Sequence, residues 1–191
     1  LVNMGIIKCE NIKEYVFIGE LSLNGKINKI NGILPMCIEA KKLGINKIII
    51  PKENEKEASI VKDIRIIGVE TLNDLIKYLN GDIVIKSERI NVEDLLNNTN
   101  NYKLDFSEVK GQENIKRALE VAAAGGHNCL LIGNPGSGKT MMARRLPTIL
   151  PDLTFEEALE VTKIHSIAGL LDTNQAIINT RPFRSPHHTI S

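Results

Sequence analysis

The stretch Cys129-Leu-Leu-Ile-Gly-Asn-Pro-Gly-Ser-Gly-Lys-Thr-Met-Met-Ala-Arg-Arg145 decides the fold of the region around it. Its centre, Gly133 to Thr140, matches the phosphate-loop pattern Gly-x-x-x-x-Gly-Lys-[Ser/Thr]. The apolar run Cys129 to Ile132 predicts a strand before the loop, and the residues after Gly138 predict a helix. The bare pattern arises by chance in roughly one of a hundred chains of this length, and this context makes a chance match rarer.

The residue types of the loop suit a nucleoside triphosphate. Gly136 and Gly138 let the main chain approach phosphates closely, and the following helix adds its positive dipole end. Pro135 donates no N–H, so it shapes the loop. We expect Lys139 at the β- and γ-phosphates and the Thr140 hydroxyl on Mg²⁺. Lys139 and Thr140 are the predicted catalytic residues and Thr140 the predicted metal ligand. The predicted ATP contacts are Gly133, Asn134, Pro135, Gly136, Ser137, Gly138, Lys139, Thr140 and Met141.

The composition and the length of the apolar runs limit the classes of protein to which the chain can belong. The chain has 191 residues, with 24 Lys and Arg against 23 Asp and Glu, so charge alone gives no argument for nucleic acid or a membrane. No apolar run reaches the length of a membrane span, and the amino terminus lacks the layout of a signal peptide. We therefore predict a cytoplasmic protein in which Cys9, Cys37 and Cys129 are reduced thiols, two of them buried.

The ends of the sequence suggest a fragment. It begins at Leu1, not Met, and stops at Ser191 inside a segment that looks ordered. No apolar run ending in Asp-Glu follows Thr140, although a phosphate-loop ATPase needs an acidic strand for Mg²⁺. We expect a piece cut at both ends that hydrolyses little ATP, because that strand is missing.

Strand and helix signals alternate over residues 1–80, so this unit is predicted to be α/β or α+β with a partly parallel sheet. Asn24-Gly25 predicts a hairpin turn, and Thr71 predicts a helix N-cap. The other predicted elements are strands at 15–23, 26–30, 47–50 and 64–69 and helices at 36–43, 53–61 and 71–79.

Residues 81–103 read as a linker, since Asn97 to Asn101 is polar and has no periodicity. A second unit spans residues 104–191. It opens with a helix predicted over 108–124, which Gly125-Gly126 ends. Thr154 and Glu157 have the spacing of a capping box and predict a helix through Ile164.

The second unit resembles the magnesium-chelatase-like AAA+ ATPases of the ComM type. The likeness covers residues 104–191 and is carried by 109–112, 122–128, 133–140, 143–147, 156–166 and 181–191. It implies a ring-forming, hexameric ATPase that uses ATP and Mg²⁺. The segment Val109 to Gln112, with Val109 and Gly111 as predicted contacts, would lie against the adenine. The family's acidic magnesium strand, sensor and arginine-finger residues would lie beyond Ser191.

The first unit resembles the Lon-protease-like domain that precedes the ATPase in the same family, through residues 19–25, 31–32 and 48–54. The implied fold class is α/β: a Lon-protease-like (ribosomal S5 domain 2-like) α+β domain followed by a truncated P-loop AAA+ α/β domain. Lon proteases use a Ser–Lys pair. The lysine would fall at Leu34, so the resemblance implies a catalytically dead domain that serves as a scaffold or binds a partner.

The resemblance implies a DNA-remodelling motor, acting in branch migration during recombination or transformation. One alternative is a magnesium-chelatase motor that drives metal insertion into a porphyrin, although true chelatase ATPase subunits lack the leading Lon-like domain. The other is an ATP-dependent protease, which Leu34 opposes. Arg181, Phe183 and Arg184 form a basic and aromatic group that suits a DNA backbone, a neighbouring subunit or a solvated loop equally. His187-His188 is a poor metal pair, because adjacent residues in an extended chain point to opposite faces.

Overall fold

The structure is a computed structural model that describes residues 1–9, 11–87, 102 and 104–186. The chain divides into two compact units, the first formed by residues 1–95 with 156–178 and the second by 96–155 with 179–191. Within the described ranges, no helix combines the length and the apolar character that crossing a membrane requires. The predicted linker 81–103 falls largely outside the described residues, and His187-His188 lies outside them altogether.

A parallel sheet forms the centre of the first unit. Its strands are β1 (Tyr15–Phe17), β4 (Lys47–Pro51) and β5 (Arg65–Val69), in the order β1-β4-β5. Ile49 and Ile67 face one side of the sheet and pack with Ile7, Val69 and Leu79. Ile48, Ile50 and Ile66 alternate with them and are also buried. Both faces are therefore covered, as short isoleucine runs in a parallel sheet predict, and the expected mixed α/β architecture is confirmed.

A two-stranded antiparallel hairpin, β2 (Glu20–Leu21) and β3 (Ile27–Asn28), follows β1. The Asn24 side chain accepts a hydrogen bond from the Lys26 N–H at 3.0 Å, and Gly25 takes a φ of +82°. Gly25 is favoured here because a side chain at positive φ is strained. The hairpin turn predicted from Asn24-Gly25 is confirmed, with strands shorter than the alternation suggested.

Three helices belong to the part of the first unit before residue 88: α1 (Ile33–Lys42), α2 (Glu55–Ala58) and α3 (Leu72–Asn80). The Thr71 side chain accepts a hydrogen bond from the Asp74 N–H at 3.1 Å, so the predicted N-cap of α3 is confirmed. The helix predicted over 53–61 is only one turn of α-helix, preceded by a 3₁₀ turn at Lys52–Asn54.

Residues 156–178, which the sequence groups with the second unit, pack in the first. They contain nearly all of the helix Phe155–Ile167 (α6 in chain order), which begins where the capping box predicts. The Gly32 N–H donates to the Ser166 carbonyl at 3.0 Å, and the Lys29 ammonium donates to the Leu171 carbonyl at 2.9 Å. The Ser166 hydroxyl donates to the buried carboxylate of Glu57. These contacts join positions more than a hundred residues apart, for which the local sequence carries no signal.

Of the three cysteines, only Cys37 is fully buried. Cys9 is half-buried and Cys129 is exposed, so the expectation of two buried thiols is wrong. Cys129 begins the predicted strand 129–132, which does not form.

Cys37 is expected to resist alkylation at pH 8 while Cys129 reacts. Burial, and secondarily the nearby Glu57 carboxylate, raise the pKa of the Cys37 thiol from 9.0 to about 12. The thiolate fraction of Cys37 is then about a thousandfold lower than that of an ordinary thiol. Mass spectrometry after iodoacetamide treatment measures the two rates, and equal rates would contradict the packing of α1.

The same pKa difference sets a stability trend at high pH. Below pH 9 the thiol is protonated in both the folded and unfolded chain, so this contribution to stability is fully present. Between pH 9 and about 12 only the unfolded chain ionises, so the free energy of unfolding falls as the pH rises through this window, by about 1.4 kcal/mol per pH unit. A Cys37→Ser variant lacks this slope.

The second unit is helical in its described residues. Helix α4 spans Glu113–Gly125, and Gly126 caps its end at a φ of +64°. Helix α5 spans Lys139–Arg145 and continues into a 3₁₀ turn, Leu146–Ile149. A further 3₁₀ turn, Phe106–Glu108, precedes α4 by four residues, where the sequence predicts one continuous helix from 108. The core consists of Phe106, Val109, Leu119 and Met142, with Leu131, Leu146 and Ile149 against it.

The strand predicted over Cys129–Ile132 is wrong for this structure, since these residues are extended but form no ladder. Leu131 packs against the core, whereas Leu130 and Ile132 are 84% and 87% exposed. This alternation is the side-chain pattern of a strand. A strand also needs hydrogen-bonding neighbours, and none of the described strands lies beside these residues.

Candidate nucleotide-binding site

The loop Gly133–Thr140 uses its glycines as the sequence predicts. Gly136 and Gly138 have φ values of +79° and +83°, a region where a side chain is strained. A Cβ on Gly133 would lie 3.1 Å from the Ser137 hydroxyl oxygen, closer than ordinary packing allows. The loop is tightened by the Ser137 N–H, which donates to the Asn134 carbonyl at 3.3 Å. Glycine is therefore favoured at positions 136 and 138 by the backbone conformation and at position 133 by the close approach of Ser137.

Lys139 bends back over the loop that precedes it. Its ammonium donates to the carbonyl oxygens of Gly133 at 2.8 Å and Asn134 at 2.7 Å, and to the Ser137 hydroxyl at 3.2 Å. An ammonium has three donors and a compact charge, and charged phosphate oxygens are stronger acceptors than carbonyls. The position of this charge over a glycine loop fits a phosphate group.

Thr140 and Met141 follow in the first turn of α5, and both are exposed. Hydroxyl oxygen is a ligand that Mg²⁺ accepts when phosphate and water complete its shell. Within the part of the chain that the structure describes, no group of three His, Cys, Asp or Glu side chains could hold a metal by itself. Thr140 fits the role of a single protein ligand to a nucleotide-bound ion, and that role stays a prediction.

The segment 109–112 lies close to the loop but differs from the expectation in one respect. Val109 is only 1% exposed and its side chain belongs to the core of the second unit. A contact of Val109 with adenine therefore needs its main chain. Gly111 is exposed at a φ of +66°. Both adenine contacts stay predictions.

Gln112 is the last residue of the segment 109–112 that the resemblance places against the adenine, and its side chain lies beside the loop. Its side-chain nitrogen lies 3.8 Å from the position that a Cβ on Gly138 would occupy. The residue itself adopts a positive φ of +59°, which is uncommon outside glycine. Its amide is thus held beside the loop, although nothing in the spacing from Gln112 to Gly138 signals that contact.

Arg145 has a structural role that its sequence position does not indicate. Its guanidinium donates to the Glu108 carboxylate at 2.5 Å and to the Asp105 carbonyl at 3.1 Å. The Arg145 side chain is 14% exposed, whereas that of Glu108 is 48% exposed, so only the arginine side of the pair is largely shielded from water. The contact fastens the end of α5 to the segment before α4, and the sequence separation of 37 explains why local patterns could not predict it.

In the group Arg181, Phe183 and Arg184, Arg181 forms hydrogen bonds within the chain. The Arg181 guanidinium donates to the Pro151 carbonyl at 2.7 Å, and its backbone N–H donates to the Tyr102 hydroxyl at 3.0 Å. Phe183 and Arg184 are exposed. Because Arg181 is engaged by main-chain oxygens, the geometry favours a structural role for it over a contact with DNA.

Two sequence profiles of known families match the chain. The profile described as magnesium chelatase, subunit ChlI, matches residues 105–191. The profile described as subunit ChlI of Mg-chelatase matches residues 1–54. Together the two matches include the candidate site and most of the parallel sheet.

Individual proteins align along nearly the whole chain. An uncharacterized protein of Mycobacterium tuberculosis is 42% identical over 182 residues, which is 95% of this chain and 35% of that protein. Competence protein ComM of Haemophilus influenzae is 37% identical over 186 residues, which is 97% of this chain and 36% of that protein. The chain thus spans about a third of the length of these curated relatives. DNA repair protein RadA of Listeria monocytogenes is 46% identical over 61 residues, 32% of this chain and 13% of that protein.

Proposed function

The chain belongs to the magnesium-chelatase-like AAA+ proteins of the ComM type, and we propose that it binds MgATP at the loop Gly133–Thr140 and is part of an ATP hydrolase. The observation that carries this proposal is the position of the Lys139 ammonium, within 2.8 Å of two carbonyls of the same loop. Phosphate oxygens of a ligand can replace those two carbonyl oxygens as acceptors for the Lys139 ammonium. The ligand then gains a charge-assisted hydrogen bond, and α5 does not have to move.

Each residue of the loop has a proposed task. The backbone N–H groups from Asn134 to Thr140, without that of Pro135, bind the phosphates, and the glycines allow their close approach. Lys139 stabilises the charge that develops on the β- and γ-phosphates during transfer, and the Thr140 hydroxyl is a ligand of the Mg²⁺ that bridges them. Met141 and the main chain near Val109 and Gly111 border the nucleotide.

We infer that the native full-length protein is a ring-forming ATPase, a homohexamer that works on DNA in the cytoplasm. Support comes from two similar proteins, one named a competence protein and the other a DNA repair protein. The proposed activity is DNA remodelling, such as branch migration or unwinding during recombination or transformation.

A second candidate is a motor that drives metal insertion into a porphyrin, since both matching profiles are described as subunits of magnesium chelatase. A Lon-type protease is opposed by Leu34, which stands where the resemblance expects the catalytic lysine. Leu34 is fully buried, and its N–H donates to the Glu57 carboxylate at 3.2 Å. An apolar side chain cannot act as a base.

The ATPase rate of the native full-length protein, with and without forked or single-stranded DNA, separates these functions. We expect DNA to raise the rate and expect the stimulation to disappear in Lys139→Ala. A rate that depends on Lys139 but does not respond to either DNA would contradict the DNA motor and favour the chelatase-type function.

A further inference from the structure

A cationic cleft opens along the β5 side of the sheet in the first unit. It has a volume of about 930 Å³ and is lined by the start of β5, the loop before it and residues 84–87. The described sheet has the order β1-β4-β5, so the edge of β5 away from β4 carries no further described strand. The Ser87 hydroxyl donates to the Ile66 carbonyl at 2.6 Å and holds the segment of Lys86 beside that edge.

Three cations line this cleft: Lys62, Arg65 and Lys86. All three are exposed, and none takes part in the ion pairs found among the described residues. Five other lysines of the unit form ion pairs, as Lys47 does with Glu14 at 2.5 Å. The cleft therefore brings together three cations that form no ion pair with another described residue.

Asp63 is the one carboxylate among the described lining residues, and it does not cancel this charge. Its oxygen accepts from the Lys41 ammonium at 3.0 Å, and Lys41 lies outside the lining. The pair is close to neutral, so the described lining residues leave the cleft with about three positive charges, those of Lys62, Arg65 and Lys86. Charge of one sign in a concave surface attracts polyanions and raises their local concentration.

We propose that this cleft binds the phosphodiester backbone of a nucleic acid. Lys62 lies in the loop before β5, Arg65 at the start of β5 and Lys86 in the segment 84–87, and all three are exposed. Exposed cations from separate segments suit the phosphates of an extended backbone better than a small anion held in a buried pocket. No aromatic side chain is found among the described lining residues, which removes base stacking as a contribution. Binding through Lys and Arg alone is independent of sequence.

The inference rests on the proposed function in one respect, since the nucleic acid is taken to be the DNA on which the ATPase works. It assigns to the first unit the contact with that DNA. The near balance of 24 basic and 23 acidic residues in the whole chain does not predict this DNA contact. Basic and acidic side chains become separated in space only when the chain folds.

The test compares two triple variants of the native full-length protein. One replaces Lys62, Arg65 and Lys86 by alanine, and the matched control replaces Lys8, Lys13 and Lys77, three exposed lysines of the same unit outside the cleft. Affinity for a fluorescent double-stranded DNA is measured by anisotropy from 50 to 300 mM KCl. Each lost phosphate contact lowers the slope of log affinity against log salt by about 0.9.

We expect the cleft variant to lose affinity by about tenfold or more at 50 mM KCl and its slope to fall by roughly two to three. The control is expected to change the slope by less than about one. Equal behaviour of the two variants, with a wild type that binds DNA, would overturn the inference and leave the proposed function standing. A wild type that hydrolyses ATP but binds no DNA would overturn the DNA function itself, and the inference with it.

Discussion

Lys139→Ala is expected to lower the ATP hydrolysis rate of the native full-length protein by at least about a hundredfold. The ammonium lies over the loop, within 2.8 Å of the Gly133 and Asn134 carbonyls. Charge develops on the phosphate oxygens during transfer, and a preorganised cation stabilises it without reorganisation. Alanine removes the charge and all three donors. MgATP binding is expected to weaken as well, as measured by titration calorimetry.

Arg117→Ala is the matched control for this loss of one positive charge. Arg117 lies on α4 in the same unit, is 77% exposed and pairs with Glu120 at 3.1 Å on the helix surface. Such pairs contribute little, so neither the rate nor the melting temperature of the control is expected to change appreciably. A Lys139→Ala protein that keeps the wild-type rate would contradict the assignment of the loop as the nucleotide site.

Much of the loop and of the first unit could be predicted from the sequence because the deciding interactions are local. The glycine conformations at Gly136 and Gly138, the Thr71 N-cap and the Asn24-Gly25 turn involve atoms at most a few residues apart. The short isoleucine runs of β4 and β5 predicted a covered parallel sheet for the same reason, since their pattern is visible within five residues.

The interactions that the sequence could not predict all join distant positions. The Arg145–Glu108 pair spans 37 residues, and the contact of Ser166 with Glu57 spans 109. A strand is also a long-range structure, because its hydrogen bonds go to another segment. The exposed Leu130 and Ile132 show the consequence, since their pattern is that of a strand although no described strand pairs with them.

Glu57→Ala is expected to destabilise the first unit by about 3 kcal/mol. Glu57 is 5% exposed, and one oxygen of its carboxylate accepts from the Leu34 N–H at 3.2 Å and from the Ser166 hydroxyl. Leu34 lies in the first turn of α1, where N–H groups have no partner within the helix. Alanine would leave two buried donors unsatisfied and a small cavity. Urea unfolding followed by the fluorescence of Tyr15 and Tyr78 measures the loss.

Two further variants show how much of this loss of stability comes from each hydrogen bond of Glu57. Glu57→Gln keeps a carbonyl acceptor for both donors, so it is expected to cost only about 1 kcal/mol. Ser166→Ala removes one donor, so the Glu57 carboxylate accepts only from the Leu34 N–H at the start of α1. We expect a similarly small loss in the free energy of unfolding. If Glu57→Ala unfolded at the same urea concentration as Glu57→Gln, the capping of α1 by this carboxylate would be refuted.

Hydrogen exchange at two amides shows whether Glu57 also holds residues 156–178 in place. The Leu34 amide reports the capping of α1, and the Gly32 amide reports the attachment of Ser166, whose carbonyl it contacts at 3.0 Å. Glu57→Ala is expected to speed exchange at both positions, and Ser166→Ala at Gly32 alone. If Gly32 kept its protection in both variants, the remaining contacts would suffice, among them that of Lys29 with the Leu171 carbonyl. In that case Glu57 would stabilise α1 without fastening the distant segment.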